Sequence, residues 1–191
     1  MLRILLIDDT GKDSGDLRAA LSAAGYEVLP EAVGSDALFK AVQARQPDVL
    51  VVDVESPSCG VLEQLALVER HAPRPVVMFS ANDEEPLIQA AVEAGVTAYI
   101  VDGRAPARLR SIIQVAQARF ARQSQLHQRL QDVQQKLQDR KLVEQAKGML
   151  MDRRGMSEAD AYAALRRQAM KQNLKLVDVA RRVLAVAELL G

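Results

Sequence analysis

The chain is poor in cysteine and in aromatic residues, and it carries no net charge. Its 191 residues include one cysteine, no tryptophan, three tyrosines and three phenylalanines. A single cysteine excludes the disulfide framework that stabilises many small secreted domains. Hydrophobic residues still make up 49% of the chain, so one or two domains with ordinary cores can form.

Segments that would direct the chain to a membrane are also missing. No apolar run approaches the roughly 20 residues that a membrane-spanning helix needs. The chain passes directly into a strand-like run at 2–7, which does not have the form of a signal peptide. We therefore expect a cytoplasmic protein without a membrane partner, in which Cys59 is a reduced packing residue.

The residue patterns of common catalytic sites are absent from the sequence. It contains no paired nucleophile and base, and no glycine-rich loop that could bind a phosphate. Its two histidines, His71 and His127, each stand alone in a helical pattern. We therefore do not expect an enzyme.

The zero net charge hides a strong asymmetry between the two halves of the sequence. Residues 1–103 contain 7 Lys or Arg and 17 Asp or Glu, whereas residues 104–191 contain 18 and 8. The net charges of the two halves are therefore −10 and +10. An acidic control domain joined to a segment that binds a polyanion would have this pattern.

Short β-branched runs alternate with helical patterns in the acidic half. Strands are predicted at residues 2–7, 26–29, 48–53, 76–79 and 98–101. Helices are predicted near residues 14–24, 35–45, 60–71 and 84–94. This alternation predicts an α/β fold with a doubly wound, parallel, five-stranded sheet.

Acidic residues follow the ends of two of these strands. Asp8 and Asp9 come after the first strand, and Asp53 ends the third. Ligands of doubly wound sheets bind at this edge, and three carboxylates there would suit Mg²⁺. One aspartate could also accept a phosphoryl group, with the metal neutralising its charge. The alternative is that these residues cap turns or helices, as Asp9 or Thr10 could.

Four motifs of this region form one pattern. They are ILLIDD at 4–9, PDVLVVD at 47–53, VVMFSA at 76–81 and AGVTAYI at 94–100. The pattern resembles the receiver domain of bacterial response regulators over about residues 1–120, which implies a flavodoxin-like fold. The resemblance also implies these roles: Asp8 and Asp9 as metal ligands with Asp53, Asp53 as phosphoacceptor, and Ser80 and Tyr99 as switch residues.

The sequence departs from the receiver pattern at two places. That pattern has lysine and then proline directly after the fifth strand, where this chain has Asp102 and Gly103. An aspartate would repel the phosphoryl group that the lysine normally pairs with. The segment 54–60 also differs from the usual receiver loop in its acidic residue and its spacing. We therefore expect the fold to persist while phosphorylation of Asp53 is weak, absent or replaced by another input.

A long helical pattern begins near Ala105. No glycine or proline occurs from Ala107 through Lys147, which predicts one helix of roughly forty residues. Apolar residues recur along it at spacings of four and three, with a slip near Gln123: Leu109, Ile113, Ala116 and Phe120, then Leu126, Leu130, Val133 and Leu137. So narrow a seam predicts a coiled-coil linker at 105–140 and a homodimer. The alternative is that the seam packs on the chain's own domains.

The basic C-terminal region predicts a small three-helix domain at 141–191. Gly155 ends its first helix, and Ser157 begins the second, with Asp160 at the spacing of a capping box. A third helix is predicted at about 175–190. The second helix carries a narrow apolar stripe formed by Ala161, Leu165 and Ala169.

Residues at several fixed spacings in this region form a second pattern. They are VEQAKGMLM at 143–151, RGMS at 154–157, AY at 161–162, LR at 165–166, Ala169, Asn173 and VA at 179–180. The pattern resembles the ANTAR domain, the RNA-binding module of AmiR/NasT-type transcription antiterminators. The resemblance implies a dimer that binds two tandem stem-loops in an mRNA leader and so prevents formation of an overlapping terminator.

The run DVESP at 53–57 and the missing lysine resemble the nitrate-regulatory, NasT-like branch of this family. That resemblance implies target genes of nitrate and nitrite assimilation. It also implies a nitrate-sensing partner protein that sequesters the antiterminator until nitrate or nitrite arrives.

Basic residues of the tail are candidates for contacts with RNA phosphates, because such contacts supply affinity. They are Lys147, Arg153, Arg154, Arg166, Arg167 and Lys171. Asn173 offers an amide to a base edge, and Tyr162 is the one aromatic residue of the tail that could stack on a base. Tyr162 could instead pack half in the core, and we expect the core.

Two other functions fit the sequence less well. One is a DNA-binding two-component response regulator, although the basic residues lie on both sides of Gly155 rather than along a second helix. The other is a dimeric signalling adaptor without nucleic-acid binding. Base-specific binding to duplex DNA would support the first, and loss of all RNA affinity at low salt would support the second.

Overall fold

The computed structural model describes residues 1–8, 14–30, 38–101 and 106–189. The chain divides into two compact units, Met1–Ser124 and Gln125–Gly191. The first contains the predicted α/β sheet, which is confirmed, and the second is helical. Within the described ranges, no helix is both long enough and apolar enough to cross a membrane.

The sheet of the first unit has five parallel strands in the order β2-β1-β3-β4-β5. They are β1 Arg3–Asp8, β2 Glu27–Leu29, β3 Val49–Val54, β4 Val76–Ser80 and β5 Ala98–Val101. Each strand lies within one residue of its predicted bounds. The runs of Val, Ile and Leu are buried because helices cover both faces of the sheet.

Four short helices connect these strands. They are α1 Ser14–Ala23, α2 Leu38–Arg45, α3 Cys59–His71 and α4 Glu85–Glu93. Residues 35–37, where the second helix was predicted to begin, lie outside the described residues. Helices α2, α3 and α4 cover one face of the sheet, whereas α1 packs on the other.

The helix α5, Pro106–Arg154, contains 49 residues that belong to both units. It is longer than the predicted forty residues because it continues through Gly148. A glycine inside a helix costs only about 1 kcal/mol relative to alanine. Ala146 and Leu150, on either side of Gly148, pack in the apolar core of the second unit, and this burial offsets that cost. The helix ends at Arg154, and the next residue, Gly155, has a φ of 62°, the left-handed conformation expected just after a helix end.

The first half of the apolar seam on α5 is part of the core of the first unit. Leu109, Ile113 and Ala116 are buried together with Val51 and Phe79 of the sheet. In this part of the linker predicted at 105–140, the seam packs on the chain's own sheet, which is the alternative to a coiled coil, because the second face of the sheet needs a covering helix. The remaining half is different, since every residue at 121–138 is exposed.

The second unit packs the end of α5 with α6, Glu158–Gln172, and α7, Leu176–Leu189. Ser157 caps α6 as predicted, because its hydroxyl oxygen accepts a hydrogen bond from the amide of Asp160 at 3.1 Å. The predicted stripe of α6 is buried. Leu165 is the largest side chain that this unit buries completely within the described residues.

Candidate functional site

The carboxyl end of the sheet brings Asp8 and Asp53 together. Asp8 ends β1 and lies in register with Asp53 on the neighbouring β3, so both side chains stand at the same end and on the same face of the sheet. Asp53 is buried, and a buried carboxylate stays ionised only where a cation or hydrogen bonds compensate its charge. Oxygen ligands of this kind suit Mg²⁺.

The third predicted metal ligand, Asp9, lies outside the described residues. Across the ranges that the structure describes, no three His, Cys, Asp or Glu side chains are grouped closely enough to hold a metal ion. Of the predicted ligand set, the described residues thus include Asp8 and Asp53. Asp102 and Gly103, which replace the lysine and proline of the receiver pattern, also lie outside the described residues.

The two predicted switch residues are connected through the loop that follows β4. The hydroxyl of Ser80 donates a hydrogen bond to the carbonyl oxygen of Glu55 at 3.0 Å. The amide of Asn82 donates to Ser80 Oγ at 3.1 Å, and the hydroxyl of Tyr99 donates to the carbonyl oxygen of Asn82 at 2.8 Å. A continuous hydrogen-bonded path therefore runs from the loop after β3 to Tyr99 on β5.

Lys147 differs from the other basic residues that the sequence pattern assigned to RNA. It is only 7% exposed, and its ammonium group lies 2.7 Å from Glu144 Oε2 and 2.7 Å from Glu158 Oε1. This placement corrects the expectation of an open phosphate contact, because two carboxylates already occupy the ammonium group. Lys147 instead joins α5 to the first turn of α6.

Lys147 and Glu158 shift one another's titration. Hydrogen bonds to Glu144 and then Glu158 raise the pKa of Lys147 above its ordinary 10.5. The hydrogen bond from Lys147 lowers the pKa of Glu158 below its ordinary 4.5. The stabilisation from Glu158 is thus present above pH 4.5 and is lost as the pH falls through its lowered pKa. The stabilisation from Lys147 is present below pH 10.5 and is lost as the pH rises through its raised pKa.

The substitution Lys147→Met should lower the thermal unfolding midpoint of the second unit at pH 7. The difference from the wild type should shrink as the pH falls from 4.5 through the lowered pKa of Glu158, because Glu158 then becomes protonated. Circular dichroism melts across a pH series measure this difference. Lys171→Met removes an exposed lysine of α6 and serves as the matched control, with little change expected. A midpoint difference that does not change with pH would show that Lys147 acts through packing alone.

Exposed residues border the buried stripe of α6 on both of its sides. Tyr162, Arg166 and Met170 recur every fourth residue and form one exposed flank, which we name the Tyr162 ridge. The opposite flank carries Gln168 and Gln172, and about 160° of the helix circumference separates Gln168 from Arg166. Tyr162 is 42% exposed, so the expectation that it lies in the core is wrong. It lies beside the apolar stripe rather than on it.

The flank with Gln168 and Gln172 borders a groove of 320 Å³ between the end of α5, α6 and α7. Apolar residues line part of this groove: Met149, Leu150, Val179, Val183 and Val186. The polar residues that line it are Arg153, Arg154, Gln168, Gln172 and Arg182. We name this feature the arginine groove. It brings together two of the predicted RNA contacts, Arg153 and Arg154, whereas Arg166 lies on the other flank of α6.

Asn173 has a structural role that explains its residue type. It ends α6 in the left-handed conformation, with a φ of 53°. Its backbone amide donates a hydrogen bond to the carbonyl oxygen of Met170 at 3.3 Å. Asparagine tolerates this conformation better than most residues other than glycine. Its side chain is exposed, so the side-chain amide is accessible for the predicted contact with a base.

Two protein families match successive parts of the sequence. The response regulator receiver domain matches residues 4–114, which is more than half of the chain. The ANTAR domain matches residues 131–184. These residues contain all of α6, most of α7 and all described lining residues of the arginine groove except Val186. The chain belongs to the ANTAR response regulators.

Relatives of this ANTAR response regulator include proteins named for transcriptional and nitrate regulation. The transcriptional regulatory protein PdtaR of Mycobacterium tuberculosis is 30% identical over 182 residues, which cover 95% of this chain and 89% of that protein. The nitrate regulatory protein of Klebsiella oxytoca is 43% identical over 65 residues, which cover 34% of this chain but only 16% of that protein.

Solved receiver structures share the fold of the first unit. The signal receiver domain of a modulated diguanylate cyclase from Desulfovibrio desulfuricans has a TM-score of 0.57 and 19% identity, covering 64% of this chain and 99% of that one. A CheY-like receiver domain protein from Methanospirillum hungatei has a TM-score of 0.56 and 20% identity, covering 64% and 98%. Identity this low supports the fold alone.

The ANTAR domain contains polar groove residues that the sequence pattern did not single out. Arg182 and Gln172 reach across from α7 and α6, and Arg182 Nη1 donates to Gln172 Oε1 at 2.9 Å. The sequence spacing of α7 could have indicated the position of Arg182. It follows Val179 by three positions and precedes Val186 by four, and residues at these spacings are neighbours on a helix surface. Arg181, one position earlier, points away from them and pairs with Asp178 at 3.3 Å.

Proposed function

We propose that this protein is a transcription antiterminator whose ANTAR domain binds stem-loops in the leader of an mRNA. By stabilising these hairpins, it would prevent formation of an overlapping terminator, so that RNA polymerase continues into the genes downstream. The observation that carries the proposal is the ANTAR match at 131–184, which contains every described lining residue of the arginine groove except Val186.

The charges and surfaces of the second unit support RNA as the ligand. Arg153, Arg154, Arg166, Arg167 and Lys171 are all exposed, and cations of this kind bind phosphates and release counterions. Side chains cannot read the deep, narrow major groove of an RNA helix, so proteins read unpaired loop bases instead. A small helical domain with cationic flanks is suited to this kind of recognition.

The exposed part of the α5 seam supports a homodimer. Leu126, Leu130, Val133 and Leu137 recur at spacings of four and three, and each is 54–63% exposed. A row of apolar side chains on a helix without other cover is what a parallel or antiparallel coiled coil buries. A dimer would provide two ANTAR domains, which is the number that two tandem hairpins require.

The receiver domain would supply the control of this activity. Asp8, Asp9 and Asp53 would hold Mg²⁺, which neutralises charge on a phosphoryl group transferred to Asp53. Ser80 and Tyr99 would respond to that change through their hydrogen bonds to Glu55 and Asn82. Because Asp102 replaces the lysine that pairs with the phosphoryl group, we propose that phosphorylation is weak and that another input dominates.

Nitrate and nitrite assimilation genes are the proposed targets. The DVESP run and the 43% identity to the nitrate regulatory protein over 65 residues support this assignment. The proposed partner is a nitrate-sensing protein that sequesters the antiterminator until nitrate or nitrite is present. The acidic receiver surface and the α5 seam are the faces on which such a partner would dock.

Equilibrium binding of the full chain to a leader RNA with two tandem small-loop hairpins tests the proposal. The comparison ligands are the same RNA with scrambled loops and a duplex DNA of equal length, across a salt series, with and without a small acyl phosphate and Mg²⁺. We expect binding that depends on the loops. The double variant Arg153→Ala, Arg154→Ala should reduce the slope of log affinity against log salt by about 2.

The matched control for that double variant is Arg119→Ala, Arg122→Ala. These arginines are exposed on the same helix but lie outside the ANTAR match, so the salt slope should not change. Base-specific binding to the duplex DNA would favour a DNA-binding response regulator. Absence of RNA binding at low salt in both phosphate conditions would contradict the proposal and favour a signalling adaptor.

A further inference from the structure

The arginine groove combines an apolar floor with a rim that carries only positive or neutral polar groups. Its described lining includes three arginines and two glutamines but no Asp or Glu. Val186 and Arg182 are both exposed, so the groove is open to a ligand from solution. A polyanion with an apolar, planar side group fits this combination better than a neutral or acidic peptide does.

We propose that the arginine groove of each ANTAR domain receives one unpaired base from a hairpin loop. The proposal rests on the RNA-binding function and adds the place on the domain where sequence is read. In it, the base enters between α6 and α7, while Arg153 and Arg154 bind the phosphates on either side of that nucleotide.

The size and chemistry of the groove suit a nucleobase. Its volume of 320 Å³ lies at the lower end of the range of small-molecule sites, about 300–1,000 Å³. Unpaired RNA bases stack on aromatic rings or on guanidinium planes, and none of the described residues that line the groove is aromatic. Arginine planes and the valines of α7 would provide the stacking surface. The amides of Gln168 and Gln172 offer both donors and acceptors to a base edge.

Arg182 is the residue best prepared for this role. Its guanidinium is planar and carries five N–H donors, one of which bonds to Gln172 Oε1 at 2.9 Å. That bond holds the plane across the gap between α7 and α6, so less side-chain entropy is lost when a base stacks on it. The Tyr162 ridge offers the rival surface, because it combines an exposed aromatic ring with Arg166.

Two groove variants and two controls separate these surfaces. Val186→Phe enlarges an exposed side chain and fills the groove, and Arg182→Ala removes the guanidinium. Arg181→Ala is the matched control, because it removes the same charge from the neighbouring position, which is not among the described residues that line the groove. Tyr162→Ala tests the ridge. Unchanged thermal unfolding midpoints establish that each variant is folded.

The full chain and its variants are titrated against the two-hairpin RNA and against RNAs in which each loop nucleotide in turn is replaced by an abasic one. We expect Val186→Phe and Arg182→Ala to bind the intact RNA on the order of tenfold to a hundredfold more weakly. Arg181→Ala should bind like the wild type. At one loop position, the abasic RNA should bind the wild type and Val186→Phe equally, because the base that the groove received is missing.

Other outcomes overturn the inference in distinguishable ways. Loop-dependent binding that survives both groove variants but is lost in Tyr162→Ala would assign base reading to the ridge and leave the proposed function intact. The inference would also be contradicted if, at every abasic position, the loss of binding free energy from the groove variant and the loss from the missing base were additive. Additive losses would mean that the groove and the base act independently. Failure of the wild type to bind the RNA would overturn both the groove site and the proposed function.

Discussion

The substitution Leu130→Glu is expected to convert the proposed dimer into a monomer. Leu130 lies in the middle of the exposed seam, so a dimer would bring two glutamates together at an apolar contact. Burying like charges without partners is strongly unfavourable, and a seam of four apolar residues per chain has little else to hold it together. Sedimentation equilibrium or light scattering measures the change directly.

Loss of the dimer should have a large effect on RNA binding. Linking two binding domains can raise affinity by a factor of 10²–10⁴ when both hairpins are engaged at once. We therefore expect Leu130→Glu to bind the two-hairpin RNA about a hundredfold more weakly, whereas binding to a single hairpin should not change.

The control for this experiment is Gln128→Glu, which adds the same charge two residues away. With Leu126 and Leu130 on the seam, Gln128 falls on the side of the helix that faces away from a partner. This variant should remain dimeric and bind both RNAs like the wild type. A dimer that survives Leu130→Glu would place the interface elsewhere on the chain, and a monomeric wild type would contradict the dimer proposal.

A second large effect is expected from Leu165→Ala in the core of the ANTAR domain. The described residues buried most completely there are Ala146, Leu165, Ala169, Val179 and Ala180, so Leu165 is the largest of them. Removing a buried leucine side chain costs about 2–5 kcal/mol. A unit of this size has a stability of only about 3–10 kcal/mol, so the variant should unfold the ANTAR domain near physiological temperature.

Scanning calorimetry and RNA binding measure this result together. We expect the unfolding transition of the second unit to move far down in temperature and RNA affinity to fall with it, while the transition of the receiver stays in place. Met170→Ala is the matched control, because Met170 lies on the same helix but is 74% exposed. Equal shifts from the two substitutions would contradict the assignment of Leu165 to the core.

The two halves of the α5 seam have one spacing but different roles. Leu109, Ile113 and Ala116 cover the second face of the sheet, whereas Leu126 to Leu137 have no covering surface within the described chain. Periodicity cannot separate these roles, because both need a narrow apolar stripe at the same spacing. The slip near Gln123 marked the change, and the unit boundary after Ser124 coincides with it.

The pairing of Asp8 and Asp53 at the carboxyl end of the receiver sheet was predictable, because strand ends can be read from short stretches of sequence. Asp8 and Asp53 each follow a short buried run, and parallel pairing then brings them into register. The path from Ser80 through Asn82 to Tyr99 could not be predicted in the same way. It depends on hydrogen bonds to backbone carbonyls, and these are set by loop geometry rather than by residue type.

In the ANTAR domain, the positions of basic residues in the sequence did not predict which of them lie on the same surface. The sequence predicted that six basic residues of the tail contact RNA phosphates. The structure instead encloses Lys147 between two carboxylates and separates Arg166 from the groove that contains Arg153 and Arg154. Helix order alone could not reveal this, because Glu158 reaches Lys147 from another helix and the groove forms where three helices meet.

The sequence by itself determined the elements of this protein. Alternating strands and helices, the cap at Ser157, the stop at Gly155 and the two family patterns are all encoded within short stretches, where local geometry decides. Only the tertiary structure decided which half of the α5 seam is buried, that Lys147 is a structural residue and that Arg182 borders a groove. Each of these depends on which surfaces meet when distant segments pack, and packing is a property of the whole chain.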